Sequence, residues 1–209
     1  MHITSSSFAN GARIAGDQAF CLPDPTHHVC LGKNCNPQLS WHDAPTGTRS
    51  FVILCHDPDV PSQGDDVNQE GRTVPATLPR VDFFHWVLID LPAGISTIAE
   101  GEFSSTVTPR GKPGPQAAHG ARQGINNYTD WFAGDHDMRG DYYGYDGPCP
   151  PWNDEIIHRY IFTVYALDIE KLPLTGKFGG PEVRSAMTGH ILAEASLYGT
   201  YTLNPALSD

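Results

Sequence analysis

The sequence predicts a mainly β, loop-rich globular domain, and three observations carry that expectation. Glycine and proline are abundant, 21 and 18 residues of 209, while only 18% of residues are charged, a balance that suits strands joined by turns better than a helical bundle. Three runs of β-branched and aromatic residues, Ser50 to His56, Phe83 to Leu91 and His158 to Leu167, read as strands. The chain is long enough to bury one full core and contains no internal repeat, so residues 1–209 are read as a single domain.

From Met1 to Thr26, short apolar beads broken by Gly and Pro suggest one or two edge strands. Asn34 to Trp41 is a turn leading into a short strand, and Pro45-Thr46-Gly47-Thr48 is a second turn. In the first strong strand Phe51, Ile53, Cys55 and Asp57 share one face, with Val52, Leu54 and His56 on the other. Both faces are largely apolar, so the strand is expected inside a sheet. The prolines and aspartates of Asp57-Pro58-Asp59-Val60-Pro61 are expected to end it. Residues 62–82 are polar and aperiodic and read as a long surface loop.

The second strand places Phe83, His85, Val87 and Ile89 opposite Phe84, Trp86, Leu88 and Asp90. Residues 101–146 form the second long loop region, Gly/Pro/Ala-rich from Thr108 to Gly124. Its later part mixes Tyr128, Trp131, Phe132, Tyr142, Tyr143 and Tyr145 with five aspartates, so it is expected to fold down on the body, over a pocket. The third strand aligns His158, Tyr160, Phe162, Val164 and Ala166 on one face. Pro181 to Tyr198 reads as a C-terminal helix, with Pro181 in the first turn, Glu182 at the positive dipole end and Gly199 as the stop. Val183, Met187, Ile191 and Ala195 would be its buried stripe, and Thr200 to Leu203 a closing strand.

Charge narrows the function classes. Thirteen Lys and Arg against 24 Asp and Glu give a net charge of -11, which disfavours nucleic acid and anionic membrane surfaces as partners. A small anion in a local pocket is compatible with it. No run approaches a transmembrane span, and Met1 to Gly11 has neither a basic region nor an apolar one, so a cytoplasmic protein with no integral membrane contact is expected. The five cysteines, Cys21, Cys30, Cys35, Cys55 and Cys149, are odd in number and irregularly spaced, and are expected to be reduced thiols. His27, His28, Cys30 and Cys35 cluster, but without a second matching pair they are read as a polar loop, not a zinc site. Asp135 to Asp141 imitates the start of an EF-hand, yet Arg139 occupies a ligand position and Asp146 stands where Glu is required. A solvated acidic loop is expected; no metal and no cofactor are assigned.

The chemistry gathers elsewhere. Pro148-Cys149-Pro150-Pro151 is a stiff loop, three of its four residues lacking an N–H and having a fixed φ, and each of its X-Pro bonds is a candidate for cis. It feeds the strand that begins at His158. Asp57 sits at a strand exit, His85 and His158 at strand entrances. An antiparallel arrangement of the first strand against the other two would therefore bring all three to one end of a sheet. Taken singly, each is an ordinary strand-end residue. Together, two imidazoles can donate N–H bonds to an oxyanion while a carboxylate orients one of them.

The segments Asp57-Pro58-Asp59-x-Pro61, Phe84-His85-Trp86, Gly147-Pro148-Cys149-Pro150-Pro151 and His158-Arg159-Tyr160-x-Phe162 to Leu167 resemble the phosphatidylethanolamine-binding protein family, in particular its bacterial Raf kinase inhibitor-like branch. Leu39-Ser40-Trp41 and the stretch Gly189 to Tyr201 support the likeness, which covers roughly 34–201. The resemblance implies a β-sandwich of a large and a small sheet with a few peripheral helices. It also implies an anion pocket at one end, with Asp57, His85, His158, Gly147, Pro148, Pro150 and Pro151 as ligand-binding residues. Tyr160 joins them because it shares the His158 face, and cis-prolines are expected nearby. The expected ligand is a phosphate or phosphorylethanolamine group. An unidentified protein partner under regulation and a homodimer are left open. The loops 62–82 and 101–146 are longer than the resemblance implies. The alternative is a hydrolase using the Asp/His/His pocket, but no nucleophile elbow, zinc-protease, Walker or dinucleotide motif is present, and Cys149 is the only nucleophile candidate.

Overall fold

The computed structural model describes residues 1–207. Its strands are β1 (His2–Thr4), β2 (Cys21–Asp24), β3 (His28–Leu31), β4 (Leu39–His42), β5 (Ser50–Pro61), β6 (Arg80–Pro92), β7 (Thr97–Ile98), β8 (Arg122–Gln123), β9 (His158–Leu167) and β10 (Ile191–Tyr201). Two short helices, α1 (Tyr128–Trp131) and α2 (Gly180–Ala186), complete the regular structure beside single 3-10 turns. The large sheet has the order β10-β9-β5-β6-β8 and the small one β1-β4-β7, with a separate β2–β3 hairpin. This is the expected sandwich of a large and a small sheet. Phe51, Ile53, Trp86, Leu88, Tyr160, Phe162 and Val164 of the large sheet pack with Leu39, Trp41 and Ile98 of the small one to form the main core. The opposite face of the large sheet, with Val52, Leu54, Val87 and Ile89, is covered by Leu172, Phe178, Val183 and Met187.

β5 is central and antiparallel to both β6 and β9, the polarity that the convergence of Asp57, His85 and His158 required. Asp57-Pro58-Asp59 does not end β5. The pairing with β6 is interrupted between Asp57 and Val60 and then resumes at Val60↔Val81 and Pro61↔Arg80. Pro58 has no N–H, so the ladder bulges locally instead of terminating. A second shift matters more: Cys55 pairs with Trp86 and His56 with Phe84, which leaves His85 as the extra residue of a bulge. Strict alternation fails there. Trp86 and Leu88 face the main core, Phe84, Val87 and Ile89 face the opposite layer, and Phe83 packs against the main core on the same side as Trp86. The bulge re-aims His85 into the cavity described below.

The C-terminal helix is shorter than expected. α2 ends at Ala186, and only Val183 and Met187 of the expected stripe pack inward from it. Gly189 turns the chain with φ +85, and Ile191 to Tyr201 then pairs with β9 from Ile191↔Leu167 to Tyr201↔His158. The free edge of β9 decides this: its unpaired N–H and C=O groups are satisfied by a strand and cannot be by a helix. The aromatic segment 126–146 does pack down, with Tyr142 and Tyr145 fully buried. Among the described residues the one cis bond is Gly114–Pro115, so Pro148, Pro150 and Pro151 are all trans. Nor are all five cysteines free: Cys21 and Cys149 form a disulfide, leaving Cys30, Cys35 and Cys55 as thiols. They are 128 residues apart in sequence, a proximity created only by docking the β2–β3 hairpin against the proline loop. Among the described residues no helix is long and apolar enough to cross a membrane.

Candidate functional site

A cavity of about 390 Å³ opens at the end of the large sheet. Asp57 from β5, Phe83 and His85 from β6, and His158 and Tyr160 from β9 form its inner end. The β2–β3 hairpin contributes Val29 and Leu31, the disulfide Cys21–Cys149 and Pro150-Pro151 form one wall, and Tyr128, Trp131, Phe132 and Met138 form another. Gly64, Val67 and Asn68 of the long loop after β5 line the rest. Asn153 holds that loop in place: its side-chain N–H groups donate to the carbonyls of Asp66 and Arg72 at 2.8 and 3.0 Å, and its Oδ1 accepts from Asn68 N at 3.0 Å. A segment read as plain surface loop is thus part of the site. Residues of both long loops line the cavity.

Of the expected site residues, Asp57, His85, His158, Pro150, Pro151 and Tyr160 line the cavity, and Gly147 and Pro148 do not. Gly147 and Pro148 lie behind the wall, where their backbone is used up internally. The Gly147 N–H donates to Asn34 Oδ1 at 2.8 Å and its carbonyl accepts from Tyr128 Oη at 2.8 Å. The Pro148 carbonyl accepts from the N–H groups of Phe20 and Cys21. Gly147 also has no room for a side chain, since a Cβ there would overlap the Gln18 carbonyl oxygen.

The two histidines differ. His158 is fully buried, with Nδ1 2.6 Å from Asp57 Oδ2 and Nε2 3.1 Å from Asp154 Oδ2. Burial alone would lower its pKa, but the two carboxylates outweigh it and raise it to about 9. The ring is therefore an imidazolium with both N–H groups committed to carboxylates, so it does not offer an N–H to an oxyanion as expected. Asp154 is in turn gripped by Arg80, whose Nη1 and Nη2 donate to Oδ2 and Oδ1 at 2.6 and 3.0 Å. Asp59 is held in the same two-pronged way by Arg159, at 2.8 and 2.7 Å. Asp57, Asp59 and Asp154 are thus balanced by His158, Arg80 and Arg159.

His85 is buried and neutral. Desolvation lowers its pKa to about 4, although the Asp57 charge and the Asp146 carbonyl oppose this. Its Nδ1–H donates to the Asp146 carbonyl at 2.7 Å, which makes Nε2 the accepting nitrogen of the ring. The side chain of Asp146 is itself clamped by Asn34 and Asn126, both at 2.7 Å, and by Lys112 at 3.0 Å. Sequence reasoning missed Asp154, Arg80 and Asp146. Asp154 carried a faint signal, standing four residues before His158 in the proline-loop exit, but nothing local marks Arg80 as its partner. His27, His28, Cys30 and Cys35 do not assemble: His28 stacks on Trp152 with ring centroids 3.8 Å apart, and Cys30 is exposed.

These two shifts have a consequence for stability. His85 resists protonation in the fold, so its contribution is complete above the ordinary imidazole value of 6.5 and is lost as pH falls through about 4. His158 holds its proton in the fold, so its contribution is complete below 6.5 and is lost as pH rises through about 9. Urea unfolding is expected to show a maximum near pH 6.5, with losses on the order of 3 kcal/mol on either side. A profile flat from pH 5 to 9 would contradict both assignments.

A sandwich of two sheets with a cavity at one sheet end, lined there by one carboxylate and two imidazoles and elsewhere by aromatic and aliphatic side chains, defines a small-ligand-binding class of protein. The phosphatidylethanolamine-binding protein family model matches residues 4–202. The chain belongs to that family. It is 32% identical over 201 residues to a UPF0098 protein of Aquifex aeolicus, covering 96% of this chain and 88% of the relative. It is 32% identical over 172 residues to the UPF0098 protein YbhB of Escherichia coli, covering 82% and 84%. Among solved structures, a phosphatidylethanolamine-binding protein homologue of Chlamydia trachomatis superimposes with a TM-score of 0.64 at 29% identity, over 96% of this chain and 95% of that one. YbcL of E. coli superimposes with a TM-score of 0.67 over 96% and 97%, and at 24% identity it supports the fold alone.

Proposed function

We propose that the cavity binds a small ligand carrying a phosphate-like head group, such as phosphate or phosphorylethanolamine, with the head at the Asp57–His85–Tyr160 end. The observation that carries this reading is the state of Tyr160. Its side chain is buried at the inner end of the cavity, and its hydroxyl has no hydrogen-bond partner among the described residues. The hydroxyl is not among the fully buried unpartnered atoms but lines the cavity, where a ligand oxygen is its natural complement. Asp57, whose Oδ1 accepts from the Asp59 N–H at 2.7 Å and Oδ2 from His158, retains lone pairs for a ligand hydroxyl or ammonium. His85 Nε2 offers a second acceptor. The aromatic and aliphatic walls accommodate whatever apolar group the head carries.

Family membership supports ligand binding as the class of function, and a regulatory role toward a protein would follow from occupancy of this site. Phosphate or phosphorylethanolamine is expected to raise the melting temperature of the wild type, and His85→Ala and Tyr160→Phe to remove most of that shift. Tyr160→Phe deletes only the hydroxyl, so its fold is retained. A wild-type shift persisting in both variants would refute the placement of the head group.

A further inference from the structure

The charge arrangement beneath the cavity says which form of the head group fits. We propose that Asp154, held by Arg80, is a positioning residue that sets the protonation state of the bound ligand: by taking the second N–H of His158 it leaves the inner end without a cation to offer, so that a phosphate monoester is bound as its monoanion and not as its dianion. This inference rests on the head-group reading above.

The cations near the site are each paired with a carboxylate, although the buried Arg80 Nε–H has no partner among the described residues. The groups facing His158 are Asp57 from β5, Asp154 from the segment before β9, and Arg80 and His85 from β6, with Asp59 and Arg159 one step further out. Arg80 is spent on Asp154 and on the carbonyls of Asp59 and Pro75, at 2.9 Å each. Arg159 is spent on Asp59. Among the described residues no Lys or Arg lines the cavity. Asp154 is as buried as Asp57, both at 1% exposure, so the two carboxylates pin the imidazolium from both sides and little solvent is left to screen them. What remains for the ligand at the inner end is one side-chain donor, the Tyr160 hydroxyl, and two acceptors, Asp57 and His85 Nε2. A phosphate dianion supplies only acceptors, and against that pair it is repelled. A monoanion brings a P–OH hydrogen, which Nε2 or Asp57 accepts while Tyr160 donates to another oxygen. Without Asp154, the His158 Nε2–H would be released and the local charge would rise by one, admitting the dianion.

The test is calorimetric titration of methyl phosphate, a monoester with no ammonium donor, into wild type and Asp154→Asn between pH 5 and 8, with imidazole resonances followed by NMR. Phosphate monoesters lose their second proton near pH 6, so wild-type affinity is expected to fall about tenfold per pH unit above it. In Asp154→Asn the fall should shrink to less than about threefold per unit, and His158 should titrate at lower pH than in the wild type. An unchanged pH slope in Asp154→Asn would overturn the inference while leaving head-group binding intact. Absence of wild-type binding at every pH would overturn the head-group reading and the inference together. Asp154→Asn is a buried change, so the wild type supplies a control that needs no variant: a His158 that titrates near 6.5 in the native protein would also overturn the inference.

Discussion

Replacing both Cys21 and Cys149 by Ser is expected to lower stability by about 3–5 kcal/mol, and the melting temperature by roughly 10 °C. The bridge closes a loop of 128 residues, so its removal returns a large amount of conformational freedom to the unfolded chain. In the folded chain it joins β2 to the proline loop at the cavity wall. Other ties remain: the Pro148 carbonyl still accepts from Phe20 and Cys21, and Tyr145 Oη still donates to the Gln18 carbonyl at 2.7 Å. The fold should therefore survive with a loosened wall. Urea unfolding of the wild type with and without a dithiol reductant gives the same quantity independently. A loss below about 1 kcal/mol in both measurements would mean the unfolded chain gains little from the cut.

His158→Leu is expected to cost about 3–5 kcal/mol at pH 7, because it leaves Asp57 and Asp154 buried with one cation fewer between them. His85→Leu should cost only about 1–2 kcal/mol, since His85 is neutral and gives up a single hydrogen bond to the Asp146 carbonyl. The two variants remove the same ring from the two strands that flank β5 in one site, so their difference isolates charge from packing. Lowering the pH should narrow the gap, as protonation relieves the stranded carboxylates of the first variant. Equal losses in the two variants at pH 7 would show that His158 is not held as an imidazolium.

Much of the fold was legible in the chain. His158 to Leu167 reads as a strand by alternation alone, and Tyr160, Phe162, Val164 and Ala166 do share the core face. The strand around Phe51 to His56 is interior because both its faces are apolar. Where reading failed, non-local pairing was responsible. Period-two counting through His85 gave the wrong face for Val87 and Ile89, because the bulge that inserts His85 exists only in the register between β5 and β6. The segment after Gly189 has a helix-compatible spacing of Ile191 and Ala195, yet the unpaired edge of β9 takes it as a strand.

The candidate site divides along the same line. Strand-end position and the family resemblance pointed to Asp57, His85, His158, Tyr160 and the proline loop, but their convergence rested on an antiparallel arrangement that only the pairing of β5 with β6 and β9 supplied. Only the tertiary structure decided what each of them does. It paired His158 with Asp154 as well as Asp57, spent Arg80 on Asp154, neutralised His85 by burial and joined Cys21 to Cys149. The physical reason is that a protonation state, an ion pair or a disulfide depends on the distance between groups far apart in the chain. Arg80 and Asp154 are 74 residues apart, and no local pattern encodes their contact.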